Sequence, residues 1–215
     1  MGRIRAEPVT DLTSRLWAAS QVHDPYPMDA TWLEAVAMTD TRTTLVWDVY
    51  ESPLGPLTLE ASPCGLTGVR FPGRGEPLDE RDRDAAALAP VVARLEEYFA
   101  GRRRAFDLPL DVAGSPLQWR VWRELVRIPY GTTVSYGELA RRVGRPDVVR
   151  AVAGAVARTP VPIVVPCHRV VGADGSLTGY GGGLHRKQAL LDLERRGAGG
   201  EGPPPEWAGR QLAML

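Results

Sequence analysis

The segment VSYGELARRVGRPDVVRAVAGAVAR, residues 134–158, decides how the second half of this sequence folds. Ser135 and Glu138 have the spacing of a capping box, which predicts that a short helix begins there. Gly144 predicts the turn that ends this helix, and Pro146 opens a second helix that runs to the end of the segment. Two short helices joined by such a turn form a helix-turn-helix pattern.

The second of these helices combines apolar bulk with very small side chains. Its valines supply the bulk, and the small positions are Ala151, Ala153, Gly154, Ala155 and Ala157. Small side chains let a helix backbone approach another surface closely. Two interpretations therefore stay open at this point, namely tight packing against a neighbouring helix and insertion into a groove of DNA. In the second case the nearby charges are Arg145, Arg150 and Arg158.

Further helices flank this segment on both sides. Ser115 followed by Pro116 predicts a helix start, because serine is a favoured N-cap and proline a favoured first helical residue. After residue 160 an apolar run leads into a glycine-dense segment, residues 172–183. The pattern then predicts a closing helix from Leu184 to about Arg196.

The first half of the sequence predicts an antiparallel meander with one helix. Residues 45–50, 57–60 and 66–71 are short, β-rich and separated by turn sequences. An apolar stripe predicts a helix over residues 85–101. Residues 106–110 are interpreted as a last strand.

These elements predict an α+β protein with four parts. They are an unassigned N-terminal extension, residues 1–42, a small α+β domain, residues 43–111, a mainly helical domain, residues 112–196, and a flexible tail, residues 197–215.

Composition excludes several classes of protein. Of the 215 residues, 44% are hydrophobic and 24% are charged, which is typical of a folded globular chain rather than a fibre or a disordered tail. No run approaches the roughly 20 apolar residues of a transmembrane helix. The two cysteines are too few for a disulfide framework or a four-cysteine zinc site. We therefore expect a soluble protein of the reducing cytoplasm.

The formal net charge of zero hides an asymmetry between the two halves. Residues 1–114 carry a net charge of −6, and residues 115–196 carry +7. Such a basic half indicates contact with a polyanion or, equally, a solvated charged face.

The segment Pro166-Cys167-His168-Arg169-Val170 carries the chemistry. A lone cysteine is usually an inert small apolar residue, but a nearby base converts it to a nucleophile. His168 can act as that base. Adjacent residues of an extended segment point to opposite faces, so a bridging water is a plausible link between them. The glycine-dense segment that follows would let a flat ligand lie against backbone N–H groups, whereas Cys64, in a turn, is interpreted as structural.

This segment resembles the active-site signature of the methylated-DNA–protein-cysteine methyltransferases, also called O6-alkylguanine-DNA alkyltransferases. Four further segments resemble the family's first helix of the helix-turn-helix, its recognition helix, its binding loop and its last helix, in the order 134–140, 149–155, 179–183 and 187–194. The resemblance is close over about 112–196 and looser over 44–110, and it implies a ribonuclease-H-like first domain and a winged-helix-like second domain.

The resemblance also implies a mechanism. Cys167 would accept the alkyl group, His168 would deprotonate it through a water molecule, and Glu194 would orient His168. Tyr136 would help to rotate the damaged nucleotide out of the duplex and would protonate guanine. Arg150 would fill the place that this nucleotide leaves in the base stack. Cys167 would then remain alkylated, so each molecule would react once.

Other residues follow from the same resemblance. Those implied to contact DNA are Tyr136, Gly137, Arg145 and Arg150. Those implied to form the substrate pocket are Pro162, Val170, Tyr180, Gly181 and Gly182. Two alternatives stay open, because Glu194 could lie on the helix surface and Tyr136 could serve packing alone. The implied partner is double-stranded DNA that contains O6-alkylguanine, bound by a monomer without a cofactor.

The sequence departs from the family pattern at two positions. Thr159 stands where the family usually has an asparagine that braces the active-site segment, and a hydroxyl lacks the two-ended reach of an amide. Gly181 replaces a frequent serine, which keeps the backbone donor and removes a hydroxyl. The residues that bind zinc in some relatives are also missing, so we expect no metal.

Three alternative functions remain. An alkyltransferase-like protein that binds lesions without repairing them would lack the acceptor cysteine, which is present here. A helix-turn-helix transcription factor would bind a specific sequence and would not need Cys167. A cysteine hydrolase would need a histidine distant in sequence and would turn over repeatedly.

Overall fold

The structure is a computed structural model that describes residues 45–73, 75 and 78–199. The predicted N-terminal extension and nearly all of the predicted tail lie outside these residues. Within the described part, no helix is long and apolar enough to cross a membrane.

The first domain is built on the predicted antiparallel meander. Strands β1 (Val46–Ser52), β2 (Gly55–Ser62) and β3 (Gly65–Arg70) pair in the order β1-β2-β3. Alternate residues of β2 face the core, where Leu57 and Leu59 are fully buried. One face of the sheet is therefore available to pack against a helix.

Helix α1 (Ala85–Phe99) covers that face, and it forms where the sequence predicts a helix but ends two residues earlier. The Asp84 side chain caps it by accepting a hydrogen bond from the N–H of Ala87 at 3.0 Å. Its buried residues recur every three or four positions, at Leu88, Val91, Leu95 and Tyr98. This spacing places the four side chains on one stripe of the helix.

The predicted strand at residues 106–110 is wrong. Only Leu110 pairs with the sheet, through a single bridge to Leu66. Pro109 has no N–H to donate, so a ladder cannot continue through it. The alternating side chains Phe106, Leu108 and Leu110 are nevertheless buried, which is why the pattern resembles that of a strand.

The second domain is mainly helical. Its helices are α2 (Pro116–Val126), α3 (Tyr136–Arg142), α4 (Val149–Ala157) and α5 (Leu184–Gly197). Two short strands, β4 (Val134–Ser135) and β5 (Val170–Val171), pair in parallel beside the helix-turn-helix.

The helix-turn-helix forms as predicted, with one difference at the start of its second helix. The backbone at Gly144 has a φ of 73°, the left-handed conformation that the turn between α3 and α4 requires. Residues Pro146–Val148 form a 3-10 turn rather than the first turn of the α-helix. No side chain caps the start of either segment, so α4 begins only at Val149.

The two domains share one continuous core, and their contact places the end of β3 against the active-site segment. The N–H of Val69 donates to the carbonyl of Pro160 at 3.0 Å. The ring of Phe71 lies 5.8 Å from that of Tyr180. A Cβ at residue 182 would lie 2.6 Å from Phe71, so only glycine permits this approach of the glycine-dense loop.

Candidate active site

A strained turn brings the chain to Cys167. The N–H of Val165 donates to the carbonyl of Val161 at 2.9 Å, which closes the turn. Ile163 within it has a φ of 76°, a left-handed conformation that is rare for a β-branched residue. Its side chain is only 1% exposed, so packing holds a backbone conformation that costs about 1–3 kcal/mol.

Cys167, His168 and Arg169 form a buried 3-10 turn, not the extended segment expected from the sequence. The N–H of Cys167 donates to the carbonyl of Val165 at 2.8 Å, and that of Arg169 donates to Pro166 at 3.0 Å. With three residues per turn, neighbouring side chains point in different directions. In this geometry Nδ1 of His168 has no hydrogen-bond partner among the described residues, so no direct bond joins it to Cys167.

The Cys167 thiol is almost enclosed, at 6% exposure. Burial raises the pKa of this thiol to about 11, against a hydrogen bond with Thr159 and the charge of Lys187, which lower it. The Thr159 hydroxyl also donates to the carbonyl of Val156 at 2.8 Å. Thr159 thus contacts both Cys167 and the last turn of α4, but one hydroxyl serves two partners.

Glu194 is fully buried, so the alternative of a surface helix position is wrong. One of its oxygens, Oε1, lies 2.9 Å from Nε2 of His168. Arg169 binds both carboxylate oxygens, from Nε at 2.9 Å and from Nη2 at 2.8 Å. Burial alone would raise the pKa of Glu194, but His168 and Arg169 outweigh it and hold that pKa well below its usual range.

This arrangement fixes the role of each nitrogen of His168. Because Glu194 is ionised, Nε2 of His168 carries the hydrogen that faces it, and Nδ1 is left as an acceptor. Nδ1 is buried and has no hydrogen-bond partner among the described residues. Burial lowers the pKa of His168, while its hydrogen bond with Glu194 raises it. A neutral imidazole of this tautomer can accept a proton at Nδ1.

A cavity of about 320 Å³ opens beside the thiol. Its lining includes Cys167 and five of the other predicted residues, Thr159, Pro162, Tyr180, Gly181 and Gly182. The first domain contributes the opposite part of the lining, from residues of β2 and β3 and from Phe71. The cavity therefore lies where the two domains meet.

Val170 does not line this cavity. Its carbonyl accepts a hydrogen bond of 2.5 Å from Nζ of Lys187, which also donates to Thr178 at 2.8 Å. The structure places Lys187, fully buried, where it ties β5 to the glycine-dense segment. A carbonyl has two lone pairs, so Val170 keeps one for another donor.

The predicted DNA-contacting residues lie on the helix-turn-helix. The Tyr136 hydroxyl donates to the carbonyl of Thr178 at 3.4 Å, and burial raises the pKa of Tyr136. Gly137 follows it in the first turn of α3. Arg145 is exposed in the turn beside Asp147, at 3.3 Å, and Arg150 is exposed near the start of α4.

Sequence reasoning missed three residues of this site. Arg169 and Lys187 are buried charges, and Tyr98 donates from α1 to Glu194 at 2.7 Å. Position within the signature could have suggested Arg169, and its being the only lysine could have singled out Lys187. No local pattern marks Tyr98, because its partner is 96 residues away. Cys64, interpreted from the sequence as structural, is exposed in the β2–β3 turn and its side chain is not part of the buried core.

The fold and the site together define a two-domain protein with a helix-turn-helix and a buried cysteine followed in sequence by a histidine that pairs with a buried glutamate. The family model described as 6-O-methylguanine DNA methyltransferase, ribonuclease-like domain, matches residues 45–112, and the DNA-binding domain model of the same name matches residues 116–196. The chain belongs to the methylated-DNA–protein-cysteine methyltransferase family.

Individual relatives agree with this assignment. The methylated-DNA–protein-cysteine methyltransferase of Mycobacterium tuberculosis is 48% identical over 150 residues, which is 67% of this chain and 89% of that protein. The Methanosarcina acetivorans protein of the same name is 41% identical over 153 residues, 70% of this chain and 98% of that protein. A crystal structure of the M. tuberculosis protein in complex with DNA has a TM-score of 0.67 and 42% identity, covering 79% of this chain and 99% of that one.

Proposed function

We propose that this protein repairs O6-alkylguanine in double-stranded DNA by moving the alkyl group onto Cys167, once per molecule. The observation that carries the proposal is the Cys167 thiol at the wall of a cavity, with His168 and Glu194 arranged behind it. The family supports the choice of substrate, since its relatives are named for methylated DNA and O6-methylguanine.

The chemistry needs one bond to form and one to break. The sulfur of Cys167 forms a bond to the alkyl carbon, and the bond from that carbon to O6 of guanine breaks. The thiol proton passes to Nδ1 of His168 through a water molecule, because no direct hydrogen bond joins the two side chains. Guanine leaves as the neutral base when Tyr136 donates a proton to its N3, and the proton held by the His168 imidazolium then returns through water to the Tyr136 phenolate. Glu194 stays ionised and stabilises the imidazolium that forms.

A base inside a duplex cannot reach this thiol. Cys167 is buried, so the damaged nucleotide must rotate out of the stack and enter the cavity, at an unstacking cost of a few kcal/mol. The exposed small residues of α4, Ala151 and Ala157, allow that helix to approach the minor groove closely. Arg150, exposed on the same helix, fills the vacated place in the stack.

The reaction ends with the protein alkylated. A thioether is not displaced by the groups that the site holds, and the only other cysteine, Cys64, is exposed in the β2–β3 turn. We propose that the protein acts as a monomer in the cytoplasm, and no step of this reaction uses a cofactor.

Mass spectrometry of the intact protein tests the proposal. After incubation with a duplex that carries one O6-methylguanine, the mass increases by one methylene, on Cys167 alone, and stops at one adduct per protein. The Cys64→Ala variant shows the same mass increase as the wild type, whereas Cys167→Ala binds the duplex and its mass does not change.

Other results would support other functions. Selective binding of the lesion without an adduct indicates a non-catalytic lesion-binding protein. Repeated turnover indicates a hydrolase. Binding that depends on sequence, and not on the lesion, indicates a transcription factor.

A further inference from the structure

Tyr98 belongs to the first domain, yet its hydroxyl contacts Glu194 in the second. Its side chain is fully buried in α1, one residue before the helix ends. The hydroxyl donates a hydrogen bond of 2.7 Å to Oε1 of Glu194, the same oxygen that faces Nε2 of His168. Tyr98 lies in the part of the chain matched by the first family model and Glu194 in the part matched by the second. This bond therefore links the two domains at the reacting centre.

The carboxylate of Glu194 has more donors than acceptor positions. Oε1 faces the hydroxyl of Tyr98, Nε2 of His168 and Nη2 of Arg169. Oε2 accepts from Nε of Arg169 and from the N–H of Gly131 at 3.0 Å. A carboxylate offers about four lone-pair positions, and these five hydrogens share them. Each donor therefore weakens the hold of Glu194 on the others.

Tyr98 cannot turn away from this carboxylate. Its ring packs against those of Phe99, Phe106 and Tyr130, with centroids 5.5, 5.3 and 6.1 Å away. Burial and the charge of Glu194 raise the pKa of Tyr98 well above its usual range, so the hydroxyl keeps its hydrogen. The hydroxyl is thus a permanent, uncharged donor in a fixed position.

We propose that Tyr98 is a positioning residue of the alkyl-transfer site, whose hydroxyl fixes Glu194 and limits how strongly that carboxylate attracts a proton onto His168. The role assigned to His168 rests on the proposed function. His168 must be neutral before the reaction, because an imidazolium cannot accept the thiol proton. A carboxylate that was not shared would favour the imidazolium too early.

Three of the groups around His168 are charged, namely Glu194 and Lys187 from α5 and Arg169 from the 3-10 turn. The other two are neutral, namely the Cys167 thiol, whose pKa burial raises to about 11, and the Tyr98 hydroxyl from α1. Because Cys167 is itself the reacting group, Tyr98 is the informative one to change. The charges of Arg169 and Lys187 oppose protonation of His168, and Glu194 favours it. Replacing Tyr98 by phenylalanine leaves the net charge of this set unchanged.

The test follows the protonation of His168 by NMR of its imidazole nitrogens in the DNA-free protein. In Tyr98→Phe we expect the midpoint of the His168 titration to move upward by roughly 0.5 to 1 pH unit. A shift of this size corresponds to part of the free energy of a hydrogen bond to a charged group. The acid limb of the single-turnover rate of methyl transfer moves in the same direction. A role in packing alone would lower the rate at every pH and leave both midpoints in place.

Tyr130→Phe is the matched control. Its hydroxyl is also buried but has no hydrogen-bond partner among the described residues, so its removal leaves the His168 midpoint where it is. Replacement of Tyr98 by 3-fluorotyrosine, a more acidic phenol of nearly the same shape, strengthens the donor and moves the midpoint downward. This replacement also carries the test if Tyr98→Phe does not fold.

Either of two results overturns the proposal. One is a His168 titration midpoint that fails to move upward in Tyr98→Phe and downward with 3-fluorotyrosine. The other is an equal shift in Tyr98→Phe and Tyr130→Phe. The proposed function fails separately, when wild-type protein forms no adduct, because the titration of His168 needs no reaction.

Discussion

At the scale of single residues, Glu194 connects the most groups in this site. Its buried carboxylate holds His168 in one tautomer, forms an ion pair with Arg169 and accepts a hydrogen bond from the hydroxyl of Tyr98. A buried carboxylate with this many donors stabilises the fold only while it is charged. Its loss leaves Arg169, itself 4% exposed, as an uncompensated buried cation.

We expect Glu194→Gln to lower the free energy of unfolding by about 3–5 kcal/mol and to slow methyl transfer. The matched change on the same helix, Asp192→Asn, removes an ion pair with Arg195 that is largely exposed and costs at most about 1 kcal/mol. Urea denaturation of the three proteins at pH 7 measures the difference. Equal losses in the two variants would contradict this role of Glu194.

The same carboxylate predicts a dependence of stability on pH. The pKa of Glu194 is lowered in the folded state, so its stabilisation is complete above the unfolded value of about 4.3. It is lost progressively as the pH falls below that value. The gap in unfolding free energy between wild type and Glu194→Gln should therefore narrow from pH 5 to pH 3, and a constant gap would argue against it.

Thr159 stands where the resemblance implies a bracing asparagine, and its contacts define what a hydroxyl can do there. A single hydroxyl hydrogen cannot be donated to Val156 and to the sulfur of Cys167 at the same time. When the thiolate forms, one of these bonds must be given up. An asparagine amide has two hydrogens and can serve both.

We expect Thr159→Asn to raise the rate of methyl transfer or the melting temperature. Thr159→Val, which keeps the shape and removes the hydroxyl, should slow the reaction because the thiolate loses its donor. Single-turnover kinetics and thermal unfolding give both values. The explanation would be wrong if Thr159→Asn left rate and melting temperature unchanged.

At the scale of elements, burial separates two faces of the small-residue helix α4. Val152, Ala155 and Val156 are buried, so one face packs against the protein, while Ala151 and Ala157 are exposed on the face that we propose approaches DNA. Periodicity alone could not assign the faces, because alanine occurs on both. Similarly, the segment 106–110 has alternating buried side chains without being a strand, because Pro109 interrupts the ladder.

We expect Ala151→Glu to weaken binding to undamaged duplex DNA by roughly tenfold or more, since it places a carboxylate against the phosphate backbone. Ala89→Glu, on the exposed side of α1, introduces the same charge far from the helix-turn-helix and should bind normally. Fluorescence anisotropy measures both affinities. Equal affinities would mean that α4 does not approach the DNA.

At the scale of the whole molecule, the charge asymmetry of the sequence coincides with the division into domains. The acidic part contains the meander and α1, and the basic part contains the helix-turn-helix. The three strands of the meander, the main helices, the signature segment and the part of the cavity lining that the second domain supplies around Cys167 could be predicted from the sequence. The contacts between domains could not, because pairs such as Tyr98 with Glu194 and Val69 with Pro160 follow from packing over long separations.

Binding to DNA should therefore weaken steeply as salt rises, and the slope should identify the residues that contact phosphate. A lost phosphate contact makes the slope of log K against log salt shallower by about 0.9. We expect this change for Arg145→Ala in the helix-turn-helix. Arg81→Ala, exposed in the first domain, should leave the slope as it is, and the same slope in all three proteins would remove Arg145 from the interface.

The burial of Lys187 has a practical consequence. It is the only lysine among the 215 residues, and its amine is enclosed between two backbone carbonyls. An amine-directed reagent, whether a fluorescent ester or an enzyme that attaches a tag to lysine, reaches this side chain only after α5 has separated from the glycine-dense segment. The labelled fraction of Lys187 thus measures how many molecules have separated α5 from the glycine-dense segment. Comparing alkylated with unreacted protein shows whether alkylation makes this separation more frequent.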